Sequence, residues 1–330
     1  MITEMAEKIL FSLILVLTII NFSLGDREAN SSGIIVKALG RSGKIRIGFK
    51  DNNGTDMDRV VVEMDELKER DANGNEVGKT GQPSVKHSFN TFASQDFTFT
   101  DIMKSTLQDI NVTTFKFKSS LLEGSANLTV SVYIFDEDGN ITLGDEQTEV
   151  HRGNVKFSIL LENWKFCGSA GVTCRKGSTD EVGDFIDFVI TIKGKGSPAP
   201  KNESDADEGK KRGKKYDLGG NSEVVLSNKV QYDGGNFTDM VSGYPKTVTQ
   251  GSKTSFVFRF KKFSESVFYD PTMEIMPDSG GDSGGDSGGD GETTTKAGGG
   301  GPSGGVCRNS VSFISSFLMF VITIFVTRYM

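Results

Sequence analysis

The chain has 330 residues, a formal net charge of −7 and 36% hydrophobic residues, enough apolar material for one or two ordinary domains. The acidic balance argues against nucleic acid as a partner, because proteins that bind nucleic acid normally present a basic face. Its 40 Gly and 7 Pro exclude a collagen-like chain, which needs far more proline and a strict three-residue period.

The amino-terminal segment, residues 1–25, has the pattern of a cleavable secretory signal peptide. A short apolar run covers residues 9–20, and Ser23 and Gly25 supply the small side chains that a signal peptidase reads. Acidic neighbours offset Lys8 in the region before the apolar run, so an uncleaved anchor is the alternative. Either form directs the chain into the secretory pathway.

Alternation of apolar and polar residues dominates residues 26–193 and returns over residues 223–276, which predicts half-buried strands. We therefore predict an all-β ectodomain, either an antiparallel β-sandwich or a barrel-like fold. A short helix is expected only over residues 101–109. The predicted strands cover residues 44–50, 60–67, 96–100, 112–118, 127–135, 155–161, 185–192, 223–226 and 256–261.

Two clusters of Asn, Asp and Gly, Asp71–Asn75 and Asp136–Asn140, have the composition of hairpin turns, where positive φ is needed. The second cluster resembles a calcium loop because oxygen-bearing side chains stand at alternate positions. An EF-hand loop needs Gly at its sixth position and Glu at its twelfth, where this chain has Ile141 and Gln147. We interpret both clusters as turns, with at most weak surface binding of Ca²⁺.

Cys167 and Cys174 lie seven positions apart, which favours a disulfide that closes a short loop in an oxidising compartment. Such a loop contributes about 2–3 kcal/mol of stability in the chain-entropy model. A metal site is the alternative, but it would need further Cys or His close by in the sequence, and none is there.

Residues 194–222 break the alternation with two Pro, an acidic block over 203–208 and a basic block over 210–215. No apolar period survives, so we predict a solvated loop or an interdomain linker. The ectodomain is then one domain with a long loop or two domains. The second part holds too few strands to be stable alone, which favours one domain.

Residues 277–306 form an acidic, Gly-rich and Ser-rich segment in which Asp-Ser-Gly-Gly repeats. This composition predicts a flexible stalk, since no apolar group drives it to pack. A flexible string of carboxylates would bind Ca²⁺ weakly at many positions, because Ca²⁺ prefers oxygen ligands. The candidate contacts with Ca²⁺ or mineral are Asp278, Asp282, Asp286 and Asp290.

The same repeat spells Gly-Asp-Ser-Gly-Gly at residues 281–285, the pattern around the nucleophile of trypsin-like serine proteases. That chemistry needs a histidine base and a buried aspartate on a packed framework. Neither His87 nor His151, the two histidines of the chain, stands in a protease-like sequence context. We therefore expect no enzymatic activity and no cofactor beyond weakly bound Ca²⁺.

Residues 307–330 include an apolar run over 311–326, close to the lower limit for a membrane-spanning helix. Small residues at 302–305 and a brief polar spacer precede it, the pattern of a GPI-attachment signal. A single-pass helix and a GPI anchor stay open. Both place the body of the chain on the extracellular side of the cell membrane.

Acceptor triplets for N-glycosylation recur along the chain and agree with secretion. Seven such triplets beyond a signal peptide are more than an isolated chance match would give. They begin at Asn30, Asn53, Asn111, Asn127, Asn140, Asn202 and Asn236.

Three stretches together resemble the acidic skeletal organic matrix proteins of stony corals and the related skeletal aspartic-acid-rich proteins. The resemblance covers most of residues 33–271, and its motifs are structural in type. The stretches are Lys86–Phe99; Asn163–Cys167 followed by Cys174 and Glu181–Asp187; and Ser255–Phe260 followed by Phe268–Pro271.

The resemblance implies a component of the extracellular matrix in which calcium carbonate is laid down, with no enzyme active site. Its implied partners are mineral or Ca²⁺ and other matrix proteins or glycans. The long Asp/Glu blocks of the aspartate-rich members are absent here, so a membrane-tethered acidic scaffold fits better than a strong mineral nucleator. The alternative is a cell-surface adhesion or receptor-like β-sandwich with no mineral role.

Overall fold

The computed structural model describes residues 25–50, 56–78, 87–201, 213–250 and 253–275. In this part of the chain a single turn of 3₁₀ helix covers Leu122–Gly124, and the remaining regular structure is β-strand. The strands are β1 (Arg27–Ser31), β2 (Ile34–Ala38), β3 (Ile45–Lys50), β4 (Asp56–Arg70), β5 (Ser88–Phe89), β6 (Thr98–Phe99), β7 (Met103–Leu107), β8 (Ile110–Leu121), β9 (Ala126–Phe135), β10 (Gly139–Leu143), β11 (Glu146–Val150), β12 (Val155–Glu162), β13 (Cys174–Lys176), β14 (Thr179–Glu181), β15 (Phe185–Lys193), β16 (Ala199–Pro200), β17 (Lys214–Gly219), β18 (Ser222–Leu226), β19 (Lys229–Tyr232), β20 (Phe237–Asp239), β21 (Lys246–Gln250), β22 (Lys253–Lys261), β23 (Ser266–Tyr269) and β24 (Thr272–Ile275).

Two large antiparallel sheets contain most of these strands. The first has eight strands in the order β1-β2-β3-β4-β15-β22-β21, with β5 beside β4. In the second, twelve-stranded sheet, β8 pairs with β6, β7 and β9, and β9 leads to β12. Beyond β12 this sheet divides into two branches, β24-β18-β17-β16 and β23-β19-β20. Two separate hairpins, β10–β11 and β13–β14, complete the described fold.

The two sheets share one apolar core. Phe258 of β22 in the first sheet contacts Tyr269 of β23 in the second, with 4.7 Å between ring centroids. Phe256 of β22 and Tyr216 of β17 make a second contact between the sheets, with 4.9 Å between ring centroids. The predicted all-β antiparallel fold is therefore confirmed. Its barrel-like alternative is wrong, because within the described residues neither sheet closes on itself.

Strands from both sides of the charged segment 194–222 enter both sheets. In the first sheet β22 pairs with β15, and in the second β23 and β24 pair with β12. Part of the segment predicted as a linker is itself a strand, β17, in which Tyr216 and Leu218 are buried. The alternation of these two side chains with charged neighbours was hidden by the adjoining basic block.

The short helix predicted over residues 101–109 is wrong. Residues 103–107 form β7, which makes a hairpin with β8. Gln108 and Asp109 join the two strands with φ values of 49° and 67°, the left-handed pair typical of a two-residue hairpin turn. Pairing with the long strand β8 therefore outweighs the weak helix propensity of this segment.

Asp136–Asn140 forms no hairpin turn, because β9 pairs with β8 and β12 while β10 pairs with β11. The chain instead leaves the second sheet at this point. The β10–β11 hairpin packs on the outer face of that sheet through a small apolar cluster that includes Val112, Phe135 and Ile141. By contrast, Asp71–Asn75 is a tight turn as predicted, with Asp71 accepting hydrogen bonds from the backbone N–H of Asn73 and Asn75.

A buried ion pair marks the point where the second sheet branches. Asp270 and Pro271 separate β23 from β24, and both strands pair with β12. The Lys156 Nζ lies 2.9 Å from Asp270 Oδ2, and the Ser158 hydroxyl donates to Asp270 Oδ1 at 2.6 Å. Burial lowers the pKa of Lys156, and the Asp270 carboxylate opposes that effect. The charge pair thus holds the two branches against β12.

Candidate functional site

The outward side of the first sheet carries a row of charged side chains. Along β4, Val60, Val62 and Leu67 point into the core, so the alternate residues face away from it. A groove of about 560 Å³ lies over part of this surface. We call the row the ionic face, and its members are Lys44, Glu63, Asp65, Arg70, Asp187, Lys193, Lys253 and Arg259.

Glu63 lies at one end of the ionic face and bridges two cations. Its carboxylate oxygens accept hydrogen bonds from Lys44 Nζ and Lys193 Nζ, each at 2.6 Å. Burial acts to raise the pKa of Glu63, but these hydrogen bonds outweigh it and hold the pKa below its usual value. The carboxylate is therefore fully ionised and charge-compensated at neutral pH.

Asp65 is held in place by a β-bulge. The register between β4 and β15 shifts at Val189/Ile190, which leaves Asp65 as the extra residue of β4. Its carboxylate accepts the Thr191 hydroxyl at 2.6 Å and Lys253 Nζ at 2.9 Å. The bulge thus turns one more carboxylate outward, and again a cation compensates it.

Asp187, near the start of β15, forms the densest ion cluster of the face. Arg259 contacts both of its carboxylate oxygens, at 2.6 and 2.7 Å, and Arg70 adds a third contact at 3.1 Å. The hydrogen bonds that Arg259 donates to Asp187 raise the pKa of Arg259, whose guanidinium also lies 4.7 Å from the Tyr244 ring centroid. The two-pronged contact and the aromatic stacking fix the guanidinium rigidly.

Lowered carboxyl pKa values predict a stability that declines in acid. Asp136, bonded to Lys104, and Asp233, bonded to backbone N–H groups of residues 264–266, share the lowered pKa of Glu63 although burial opposes it in each case. Such groups bind protons more readily in the unfolded chain, so their stabilisation is present above the unfolded pKa of about 4 and is lost as the pH falls through the folded values.

We expect the free energy of unfolding, measured with urea, to receive a constant contribution from these groups near neutral pH. Below about pH 4 this contribution should be lost progressively. The variant Glu63→Gln removes one of the three groups, so its free energy of unfolding should fall less steeply with decreasing pH. An identical slope in the wild type and the variant would contradict the role of Glu63.

A second, buried site surrounds Glu69, the next inward residue after Leu67 on β4. Its side chain is completely enclosed. Oε2 lies 2.7 Å from His87 Nδ1 and accepts the Trp164 indole N–H at 2.9 Å, and Oε1 accepts the backbone N–H of Cys167 at 2.7 Å. Gly183 is required beside it, because a Cβ there would lie 1.7 Å from Glu69 Oε1. We call this site the Glu69 centre.

Cys167 and Cys174 form a disulfide, as predicted, and it closes onto the Glu69 centre. The His87 Nε2 lies 2.9 Å from Cys174 Sγ, and both residues are buried. Sequence reasoning found no histidine near the cysteines, because His87 is 87 positions away from Cys174. The sequence signal for this site was the family resemblance, because two of the stretches that carry it contain its residues. Lys86–Phe99 contains His87, and Asn163–Cys167 contains Trp164 and Cys167.

The described residues also place the other sequence-predicted sites. Asn30, Asn111, Asn140 and Asn236 are exposed and Asn127 is half-buried, while Asn53 and Asn202 lie outside the described residues. The tail aspartates, Asp278, Asp282, Asp286 and Asp290, also lie outside them, as do residues 1–24 of the predicted signal peptide and the apolar run of 311–326. Among the described residues, no helix is long and apolar enough to cross a bilayer.

A sequence model of the family described as acidic skeletal organic matrix protein matches residues 23–320. The chain belongs to that family. The match spans the two-sheet body, the ionic face and the Glu69 centre, so the resemblance drawn from the three sequence stretches is confirmed.

A component of the skeletal organic matrix lies outside the cell. The extracellular location is also consistent with the disulfide at Cys167 and Cys174. On the ionic face of this matrix protein, Glu63, Asp65 and Asp187 each have a Lys or Arg within hydrogen-bond distance.

Proposed function

We propose that this matrix protein is a membrane-tethered, non-enzymatic scaffold of calcium carbonate biomineralisation. The folded body would hold matrix proteins or glycans, and the acidic tail would contact Ca²⁺ or mineral weakly. The observation that carries this division is the contrast in charge compensation between the ionic face of the body and the acidic tail.

Compensated carboxylates on the ionic face support assigning the Ca²⁺ contact to the tail rather than to the body. Glu63, Asp65 and Asp187 each engage one or more cations, so a Ca²⁺ ion would have to displace a Lys or Arg to reach them. Within the described residues, the group of three metal-binding side chains whose ligand atoms lie close together is His87, Cys167 and Cys174, which contains no carboxylate. Hard cations prefer oxygen ligands, so the body offers Ca²⁺ little.

The tail differs in composition. Residues 277–291 contain four Asp and no Lys or Arg, so no cation within the repeat compensates its charge. Carboxylates spaced by Ser and Gly would meet many Ca²⁺ ions weakly, and a mineral surface presents such ions in large number. Exposed charges are screened beyond about 10 Å at 0.1 M salt, so this contact would weaken as ionic strength rises.

The remaining parts of the proposal rest on the sequence. The chain has two His, of which His87 is enclosed by the Glu69 centre and His151 lies on the surface near Asp138 and Glu149. The sulfur beside His87 is that of Cys174, which is held in the disulfide, so His87 does not face a free thiol, and this supports a non-enzymatic role. Membrane attachment would come from residues 307–330, and release by a phosphatidylinositol-specific phospholipase would distinguish a GPI anchor from a spanning helix.

Calorimetric titration of the full chain with Ca²⁺ tests the tail. We expect weak, multi-site uptake that decreases steeply with added salt, and loss of most of this uptake when Asp278, Asp282, Asp286 and Asp290 are all changed to Asn. A matched control changes four exposed body carboxylates, Asp101, Asp109, Glu149 and Asp180, to their amides. Equal uptake by the tail variant and the wild type would remove the tail from the mechanism.

A further inference from the structure

The Glu69 carboxylate fixes the proton of His87 on one ring nitrogen. The Trp164 indole N–H and the Cys167 backbone N–H can only donate, so both oxygens of Glu69 act as acceptors. The His87 Nδ1, 2.7 Å from Oε2, must then carry the hydrogen. This leaves Nε2 directed at Cys174 Sγ, 2.9 Å away. A carboxylate that orients a histidine in this way is the usual partner of a metal-binding imidazole.

We propose that Cys167, Cys174 and His87 form a binding site for a thiophilic cation, Zn²⁺ by its chemistry, when the disulfide is reduced. The two Sγ atoms and the imidazole nitrogen all lie within 4.8 Å of one another, and all three residues are buried. Two thiolates and one imidazole are ligands that Zn²⁺ prefers, and they leave a fourth tetrahedral position for water. Ca²⁺, a hard cation, does not compete for sulfur ligands.

An external dithiol is the reductant that opens the Cys167–Cys174 disulfide. One dithiol thiolate attacks a sulfur of the Cys167–Cys174 bond, and the second closes the disulfide of the reductant, so two electrons and two protons pass to the protein. Binding of the metal releases both thiol protons to solvent. Two thiolates neutralise the divalent cation, so the occupied site adds no net charge to the buried centre.

Local opening gives access to the site. The cysteines pack with Val77 and Val172 in a small cluster separate from the main core. Above them lies the short hairpin β13–β14, whose residues after Cys174 are exposed or half-buried. Few apolar contacts hold this region, so it opens at lower free energy than the sheets unfold.

Metal titration of the reduced chain tests the proposal. In a Cys307→Ser background, which removes the third cysteine of the sequence, the protein is reduced with a dithiol, freed of reductant without air and titrated with Cd²⁺. We expect one Cd²⁺ per chain, seen as thiolate-to-metal charge-transfer absorption, and no absorption change for the oxidised protein. A large excess of Ca²⁺ should leave the signal unchanged.

X-ray absorption of the reduced, Zn²⁺-loaded protein should show two sulfur ligands together with a nitrogen ligand of the imidazole type. The His87→Gln variant should bind at least about tenfold more weakly, because it loses a direct ligand. The wild-type spectrum decides the matter if that variant fails to fold. Absence of Cd²⁺ binding by the reduced protein, equal binding by the oxidised protein, or a first shell without imidazole would overturn the proposal.

Discussion

Changing Glu69 to Gln is expected to lower the free energy of unfolding by about 3 kcal/mol, since hydrogen bonds to a charged group are strong and a buried donor left without a partner is costly. The carboxylate accepts from Trp164, Cys167 and His87 at once. A Gln amide keeps one acceptor oxygen and turns an NH₂ group toward donors. At least one buried N–H then loses its partner.

The matched control is Glu66→Gln on the same strand. Glu66 faces outward, partly exposed, and pairs with Lys68. A surface ion pair contributes about 0–1 kcal/mol, so this control should remain close to wild type. Urea unfolding at unchanged m-value measures both variants. If Glu69→Gln costs no more than Glu66→Gln, the Glu69 centre does not stabilise the fold as described.

The second large effect is expected at the branch of the second sheet. Asp270→Asn should cost about 3–5 kcal/mol, because it leaves the fully buried Lys156 ammonium without its counter-charge. The Ser158 hydrogen bond can persist to the amide oxygen. The lost free energy of unfolding therefore reports on the charge pair rather than on packing at this position.

The double variant Lys156→Met/Asp270→Asn provides the internal check. Removing both charges eliminates the uncompensated ion, so we expect the double variant to be more stable than Asp270→Asn alone. The exposed pair Arg175–Asp180 supplies the surface control, and Asp180→Asn should change stability by no more than about 0.5 kcal/mol. Additive losses in the double variant would show that Lys156 and Asp270 stabilise the fold independently.

The sequence predicted the strands well where one face is buried. In β3 and β22 the apolar residues alternate with charges, and both strands lie where the alternation places them. The segment 101–109 has no such alternation, and its strand β7 depends on pairing with β8 and on the left-handed turn at Gln108 and Asp109. Local patterns cannot show a partner strand, so the helix prediction there was wrong.

The Glu69 centre could not be predicted from local sequence patterns either, because such patterns do not show which distant residues meet. Alternation along β4 places Glu69 on the inward side, which marks it as a carboxylate that needs buried partners. Those partners come from positions 18 to 98 residues away, and only the pairing of the sheets brings them together. The stretches that carry the family resemblance contain these partners. Their residues therefore serve the structure of the buried site.

Asp270 illustrates the same point in the third stretch. None of the predicted strands includes Phe268–Pro271. In the structure, the chain passes at Asp270 and Pro271 from β23, in one branch of the second sheet, to β24, in the other. The buried lysine that neutralises Asp270 lies on β12, more than a hundred residues earlier.

The body carries a charge-compensated ionic face, and the sequence adds an acidic repeat that contains no Lys or Arg. Compensation on the ionic face keeps Glu63, Asp65 and Asp187 engaged with lysine and arginine. A matrix protein built in this way would keep its fold independent of Ca²⁺ while its tail meets the ions. In the proposed function, membrane attachment through residues 307–330 would hold this contact near the cell that deposits the mineral.

Adsorption to calcium carbonate crystals tests this division most directly. Three forms of the full chain are compared: the wild type, the variant with all four tail aspartates changed to Asn, and the variant with Asp101, Asp109, Glu149 and Asp180 changed to their amides. The two variants lose the same formal charge. We predict that the tail variant loses most of its adsorption and the body variant keeps it. Equal losses in the two variants, or none in the tail variant, would contradict the proposed function.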